Sequence, residues 1–361
     1  MKYDIAIVGA GIAGASLAAA IGDRARVLIL EAEAVAGYHA TGRSAAFWSE
    51  TYGGPGIQPL TTLSGAALAA GGFLEPLGSL HIGQARDAAS ADAFIADFDN
   101  SGVELVRVDP AAHIPGLRKG WTIGVLEPTC AYIDVAGLHA DMLARARKAG
   151  TILALNSALH AATREGGRWK ISTAGGAFEA DVLVNAAGAW ADDVARIAGV
   201  APLGIQPYRR TLVQLLTDPP VPMRLPHVAH LGGDFYFKPE AGGRLWLSPH
   251  DETPVPASDV QPEELDVAIA IDRLEQAVDW RVVQVERKWA GLRSFAPDRL
   301  PLYGAASDAP GFFWFAGQGG FGIQTAPAAA EIGAALLLGD APPAGIDISR
   351  YSPARFMNRF A

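Results

Sequence analysis

Tyr3-Asp4-Ile5-Ala6-Ile7-Val8 runs directly into Gly9-Ala10-Gly11-Ile12-Ala13-Gly14, and then into Ala15-Ser16-Leu17-Ala18-Ala19-Ala20-Ile21. The first six residues form a short apolar run that reads as a buried parallel strand. The last seven have helical character. After a turn at Gly22-Asp23, Val27 to Leu30 is a second apolar strand, closed by Glu31. Together they spell a complete dinucleotide-binding βαβ unit. Gly9 permits the tight turn, Gly11 lets main chain approach a pyrophosphate, and Gly14 lets the helix pack closely on the strand. Ala10, Ile12 and Ala13 complete the turn, and the helix start offers N–H groups and a partial positive charge to phosphates. Glu31, 22 residues beyond Gly9, stands where a carboxylate accepts hydrogen bonds from ribose hydroxyls, with Ala32 beside it. A purely structural turn would not need strand, glycines, helix, strand and acid in register.

This unit alone does not separate NAD from FAD. NAD dehydrogenases usually continue into another plain βα unit. Here Gly37-Tyr38-His39-Ala40-Thr41-Gly42-Arg43-Ser44-Ala45-Ala46 is instead a loop of small and hydroxylated residues. Two later stretches are of the same kind. Val182-Leu183-Val184-Asn185-Ala186-Ala187-Gly188-Ala189-Trp190 is a strand breaking into a small-residue turn, with a helix from Ala191. Gly311-Phe312-Phe313-Trp314-Phe315-Ala316 leads through Gly317-Gln318-Gly319-Gly320-Phe321-Gly322-Ile323-Gln324-Thr325 into a helix from Ala326 to about Leu338.

On these segments the chain resembles the D-amino-acid-oxidase-like superfamily of FAD-dependent oxidoreductases, and within it the bacterial D-arginine dehydrogenases. The resemblance covers essentially the whole chain and is more specific for flavin than for substrate. It implies that Thr41, Gly42, Arg43, Ser44, Ala45 and Ala46 contact the flavin and its diphosphate. It also implies that Ala158 passes a backbone amide to the adenine, and that Ala187, Gly188 and Trp190 form a second flavin turn. Gly317, Gln318, Gly319, Gly320, Phe321, Gly322, Ile323, Gln324 and Thr325 would form a third. The flavin is expected to be non-covalent, although some relatives tether it through a histidine in the loop that here contains His39.

The fold class implied is α/β (α+β overall): a Rossmann-like FAD-binding domain with an inserted antiparallel-sheet substrate domain. The FAD-binding part is expected to be discontinuous, at about 1–75, 135–205 and 288–361, with the substrate domain built from 76–134 and 206–287. Val135 to about Lys148 reads as a helix, and Thr151–Asn156, Arg168–Thr173 and Asp181–Asn185 read as strands. Thr211–Leu216, His227–Leu231, Phe235–Phe237 and Arg244–Leu247 are short strands split by Pro and Gly. Glu263 to about Val278 is an amphipathic helix. The sheet would roof the flavin.

A flavin dehydrogenase must hold a C–H bond near flavin N5 and bind the substrate's charged handle. Arginine suits a carboxylate because its planar fork pairs bidentately. By the resemblance, Arg210 and Arg293 belong near the substrate carboxylate, and Tyr52 and Tyr236 place phenols close to it. Phe47 stands where the D-arginine enzymes have a histidine, and Ser79 where they have a glutamate able to pair with a guanidinium. Phe47 and Trp48 would then favour an apolar side chain.

The expected reaction is FAD-dependent oxidative deamination of a neutral or apolar D-amino acid, by hydride transfer from the α carbon to flavin N5. Two other readings stand beside it: oxidation of a secondary amine or a 2-hydroxy acid, or a flavin-binding subunit without turnover. The reoxidising partner is oxygen, a quinone or a carrier protein, a choice the residues leave open. Cys130 reads as a buried, inert thiol, and His250, in Ser248-Pro249-His250-Asp251, reads as a surface turn ahead of the alternative that it lines the roof.

Composition agrees with a globular chain of 361 residues: 50% hydrophobic and 19% charged. Twenty-nine Lys and Arg against 38 Asp and Glu leave a net charge of -9, which argues against nucleic acid as the partner. The single cysteine allows neither an internal disulfide nor a Cys-based metal site, and fits a reducing cytoplasm. No apolar run approaches the ~18 residues of a membrane span, and the chain starts straight into a strand without a cleavable signal. The 41 glycines suit close approach of a large cofactor to main chain.

Overall fold

The computed structural model describes residues 2–359, so positions 1, 360 and 361 of the expected domain division lie outside the described residues. The strand Lys2–Val8 sits at the centre of a largely parallel sheet, between Val27–Leu30 and Gly176–Asn185. Ile152–Ala154 extends it beyond Val27–Leu30. On its other edge Gly176–Asn185 serves two further partners. Its first half pairs antiparallel with Arg168–Thr173, and its last residues pair parallel with Phe312–Ala316. The helices Ile12–Ile21, Val135–Lys148 and Ala326–Leu338 pack on one face around Ile7, Ile29, Leu17 and Ile332. Tyr3, Leu28, Trp169, Val194 and Trp314 fill the other. The first helix starts earlier than its apolar residues suggest, at Ile12, because the glycine-rich turn itself enters helical geometry.

Among the described residues the second sheet has ten strands. From the short edge strand Gln318–Gly319 it runs through Arg281–Phe295, Gln206–Asp218, Arg244–Ser248, Tyr236–Glu240 and His227–His230, then Ser79–Gln84, Trp121–Glu127 and Val106–Arg107. It is antiparallel except where Ser79–Gln84 lies parallel to His227–His230, the junction that welds its two sequence-distant segments together. Arg281–Phe295 runs unbroken through position 288, one of the domain boundaries expected from sequence.

Alternation along these strands decides what each face does. Leu80, Ile82, Val213, Leu215, Val228, Phe237, Leu245 and Leu247 point to the helix Glu264–Ala277, whose Val267, Ala270 and Leu274 close that core. The intervening residues point the other way, towards the first sheet. They include Ser79, His81, His227, Tyr236, Arg210 and Arg293, and that face roofs the cleft described next. No helix among the described residues is long and apolar enough to cross a membrane.

Candidate active site

A cleft of about 460 Å³ runs from the βαβ turn to the roof. Gly9, Gly11, Ile12 and Ala13 line its floor, so the amino end of the first helix opens onto it. Gly9 has φ +107°, and a Cβ there would lie 2.5 Å from the Ala186 carbonyl oxygen. Only glycine lets the turn pass that close. Glu31 is almost fully buried; one carboxylate oxygen accepts the Ala10 N–H at 2.8 Å and the other the Glu33 N–H at 3.0 Å. A carboxylate held this way keeps further lone pairs for ribose hydroxyls at the cleft. Thr41 Oγ1 accepts the Ile12 N–H at 3.0 Å and so ties the loop 37–46 to the helix start. This donor set fits a dinucleotide: an anion seat at the helix end, a hydroxyl acceptor at Glu31, and walls of Ser157, Ala158, Ala187 and Gly188.

The expected flavin residues divide by placement. Ala32, Arg43, Ser44, Ala45, Ala46, Trp190, Gln318, Gly319, Gly320, Gly322, Ile323 and Gln324 line the same cleft. Ala10, Gly14, Gly42, Gly317, Phe321 and Thr325 are not on its wall; they shape the turns behind it. Phe321, for example, packs on Phe295 and Tyr52, and Thr325 donates its hydroxyl to the Phe321 carbonyl at 2.8 Å. Arg43 is a strap, donating to Asp259 and to the carbonyls of Val260 and Ala290 in the roof segments. The Nε2 of His39 is engaged with Glu33 at 2.9 Å, and its ring packs on Trp190.

At the roof end Arg210, Arg293, Tyr52 and Tyr236 converge on the cleft. Antiparallel pairing of Gln206–Asp218 with Arg281–Phe295 sets Arg210 opposite Gly291, and Arg293 two residues on along the same face. Arg210 is 3% exposed. Its Nε donates to the Asp251 carbonyl at 2.7 Å and one Nη to Glu252 at 3.0 Å, leaving Nη1 buried without a partner among the described residues. Burial first, then the nearby Arg293 guanidinium, lower the pKa of Arg210, so an anion between the two would relieve Arg210. Arg293 makes one long hydrogen bond, to the Tyr236 hydroxyl at 3.4 Å, and lies over the Tyr52 ring. Gly320 makes room for this cluster: a Cβ there would lie 2.2 Å from the Tyr52 hydroxyl.

Phe47 lines the cleft, but Trp48 does not. Trp48 packs against Gly65 and donates its indole N–H to the Thr61 carbonyl at 2.9 Å, a structural contact outside the site. Ser79 lies in a second, smaller cavity of about 140 Å³, which shares Phe47, Tyr52, Tyr236 and Arg293 with the main cleft. His250 corrects the expectation of a surface turn. It lies two residues beyond the Arg244–Ser248 strand with φ +57° and lines this second cavity beside Tyr236. Burial first, then Arg210 and Arg293, push it down to about 3, so it stays neutral.

His81, His227 and Glu127 were not singled out from the sequence. The two histidines share the Ser79 face of the roof and line the second cavity. Glu127 is fully buried and accepts hydrogen bonds from the Ser49 and Thr51 hydroxyls and the Glu50 N–H, at 2.8, 2.7 and 2.7 Å. It thereby fixes the segment that carries Tyr52. Alternation in His227–His230 would have paired His227 with Ala229 on one face; which face looked inward needed the neighbouring strands. Cys130 is fully buried, and burial raises its thiol pKa, as an inert thiol requires.

The family model for FAD dependent oxidoreductases, DAO, matches residues 4–336. Mitochondrial dimethylglycine dehydrogenase of Homo sapiens is 25% identical, covering 98% of this chain and 44% of that protein. Glycine oxidase of Pseudomonas aeruginosa is 29% identical, covering 67% of this chain and 65% of that protein. The chain therefore spans less than half the length of the dimethylglycine dehydrogenase it matches. Among solved structures, L-proline dehydrogenase from P. horikoshii superposes with a TM-score of 0.87 at 21% identity, covering 99% and 98% of the two chains. Glycine oxidase from Geobacillus kaustophilus superposes at 0.83 with 23% identity, covering 97% and 98%. At such identities the structures show the fold alone. The family match spans most of the chain and its cleft has the matching donor set, so this protein belongs to the DAO family of FAD-dependent oxidoreductases, with FAD as its cofactor.

Proposed function

We propose that the protein catalyses the FAD-dependent oxidative deamination of a neutral or apolar D-amino acid. The observation that carries this reading is Arg293, a guanidinium enclosed by the roof, facing the cleft, with no carboxylate partner among the described residues. Such a group calls for an anion, and Arg210 Nη1 offers a second donor beside it. The carboxylate held there fixes the α carbon under the roof, and Tyr52 and Tyr236 flank it. When bound, FAD supplies the two-electron acceptor for the C–H bond that breaks. The residues that line the cleft would hold it without a covalent bond, with the Nε2 of His39 engaged by Glu33. Acid precipitation should then release the flavin to the supernatant; colour held in the pellet would point to a tether at His39.

A glycine or sarcosine substrate would leave the second cavity without a side chain to fill it, which favours a larger amino acid. A flavin-binding subunit without turnover would need neither arginine. The single cysteine fits a cytoplasmic site of action. The deciding experiment is bleaching of the bound flavin, with and without oxygen, by D- and L-amino acids, glycine, sarcosine and proline. Neutral D-amino acids should reduce it faster than D-arginine or D-lysine, because the second cavity offers no carboxylate to a cation. Fastest reduction by D-arginine, or by L-isomers throughout, would overturn the assignment. Recolouring in air at the rate of turnover would identify oxygen as the acceptor.

A further inference from the structure

We infer that the second cavity is the substrate's side-chain subsite and that it selects a neutral side chain ending in a hydrogen-bonding group, an amide or a hydroxyl. The inference rests on the reading of Arg293 as the carboxylate anchor. From that anchor, shared by both cavities, the void extends under the roof between Phe47, Tyr236 and the histidines. Its 140 Å³ is close to the cavity of about 150 Å³ known to admit a benzene molecule. A side chain of that bulk fits; a long chain does not.

The wall is aromatic, but it is not apolar. Parallel register sets Ser79 directly beside His227, and the Ser79 hydroxyl lies 2.9 Å from His227 Nδ1. That contact uses one ring nitrogen. The other, Nε2, is buried without a partner among the described residues, and so is Nε2 of His81, two residues beyond Ser79 on the same face. His227 is 3% exposed. A buried ring nitrogen left unpaired costs free energy that a ligand bearing a matching group recovers. An aliphatic side chain would leave both unpaired.

Charge narrows the class further. Burial lowers the pKa of His81 to about 4 and that of His227 well below its ordinary value, so both are neutral at pH 7. The carboxylates nearby, Asp87 and Asp234, face His230 at 3.6 and 3.0 Å and do not line the void. A cationic side chain would thus find no counter-charge and would lie near Arg293. An anionic one would compete with the α-carboxylate for that same arginine.

The test uses three carboxylates of nearly equal size that cannot be oxidised because they lack the amine. They are succinamate, with an amide end, 4-methylpentanoate, with an isopropyl end, and succinate, with a second carboxylate. Each is titrated into the holoenzyme, followed by the visible spectrum of the bound flavin and by calorimetry. Succinamate should bind at least about tenfold tighter than 4-methylpentanoate, and tighter than succinate. In Ser79→Ala and His227→Phe, checked for FAD content, the first ratio should fall towards one because succinamate weakens. Should His227→Phe lose its flavin, Ser79→Ala decides the point alone. Equal binding of succinamate and 4-methylpentanoate, tighter binding of either of its competitors, or an unchanged ratio in the variants overturns the subsite. If none of the three acids binds, the carboxylate anchor itself falls, and this inference with it.

Discussion

Arg210 and Arg293 are alike in sequence terms but not in what they have left to give. Arg210 already spends Nε on the Asp251 carbonyl and one Nη on Glu252, so it offers a substrate one nitrogen rather than a fork. Among the described residues Arg293 has one hydrogen bond, its long contact to Tyr236. Arg293→Met should therefore be the more damaging change, costing about 2–5 kcal/mol of transition-state binding, or roughly 30- to several-thousand-fold in kcat/KM. Arg210→Met should cost about ten- to a hundredfold. Its fold should survive, because Glu252 keeps both bonds from Arg299, at 2.9 and 3.0 Å. Steady-state kinetics on variants matched for FAD content checks the order, and a larger loss at Arg210 would refute it. Both arginines were legible in the sequence through the family resemblance of the stretches 206–211 and 289–295. Their inequality was not, since Asp251 and Glu252 lie some forty residues away and nothing local announces them.

At the scale of elements, the latch between the strand Trp121–Glu127 and the segment 49–52 is the feature with most at stake. Three donors from consecutive residues close on the Glu127 carboxylate, and Tyr52 follows immediately. Burial raises the pKa of Glu127, while the bonds from Thr51, Ser49 and Glu50 oppose that rise. Glu127→Ala would strand all three donors and release Tyr52. A loss of about 3 kcal/mol in stability is expected, with a fall in kcat/KM; Glu127→Gln, which keeps an acceptor oxygen, should recover most of both. Thermal melts and kinetics on the pair settle it: if Ala and Gln alike match the parent, Glu127 holds nothing. Sequence reading placed the helices Val135–Lys148 and Ala326–Leu338 at their observed bounds because apolar spacing and small residues mark them. It shortened Gln206–Asp218 to its apolar middle. The charged Arg209 in that strand is tolerated because Asp266 of the helix Glu264–Ala277 and Glu263, at its N-cap, pair with it. Leu159–Glu165 went unread for a similar reason: it is a solvent-facing hairpin partner of Arg168–Thr173, rich in Thr, Arg and Glu.

Across the whole molecule, the space between the two sheets collects neutral histidines, and this sets how the fold responds to acid. Which strands bring His81, His227 and His250 together depends on the parallel junction of two distant segments, a pairing no local pattern specifies. Burial is the first cause of each lowered pKa: to about 4 for His81, to about 3 for His250, and well below the usual value for His227. In the unfolded chain each takes a proton near pH 6.5. As pH falls below that value, the unfolded state binds protons that the folded state refuses, so stability is lost. The loss begins near pH 6.5 and continues down to about 4 for His81 and about 3 for His250. Each such histidine contributes up to about 1.4 kcal/mol per pH unit while it titrates only in the unfolded chain. Glu127 and Asp251, whose pKa values burial raises, act in the opposite sense as pH falls from their raised folded values to the ordinary carboxylate range. Above that interval the histidines set the slope. The holoenzyme's Tm should be flat above pH 7 and fall steadily below 6.5, and His81→Phe should flatten that slope by about one histidine's share without moving the plateau's onset. A Tm that holds level down to pH 5, or a His81→Phe variant with the parent's slope, would show that these imidazoles meet solvent and protonate in place.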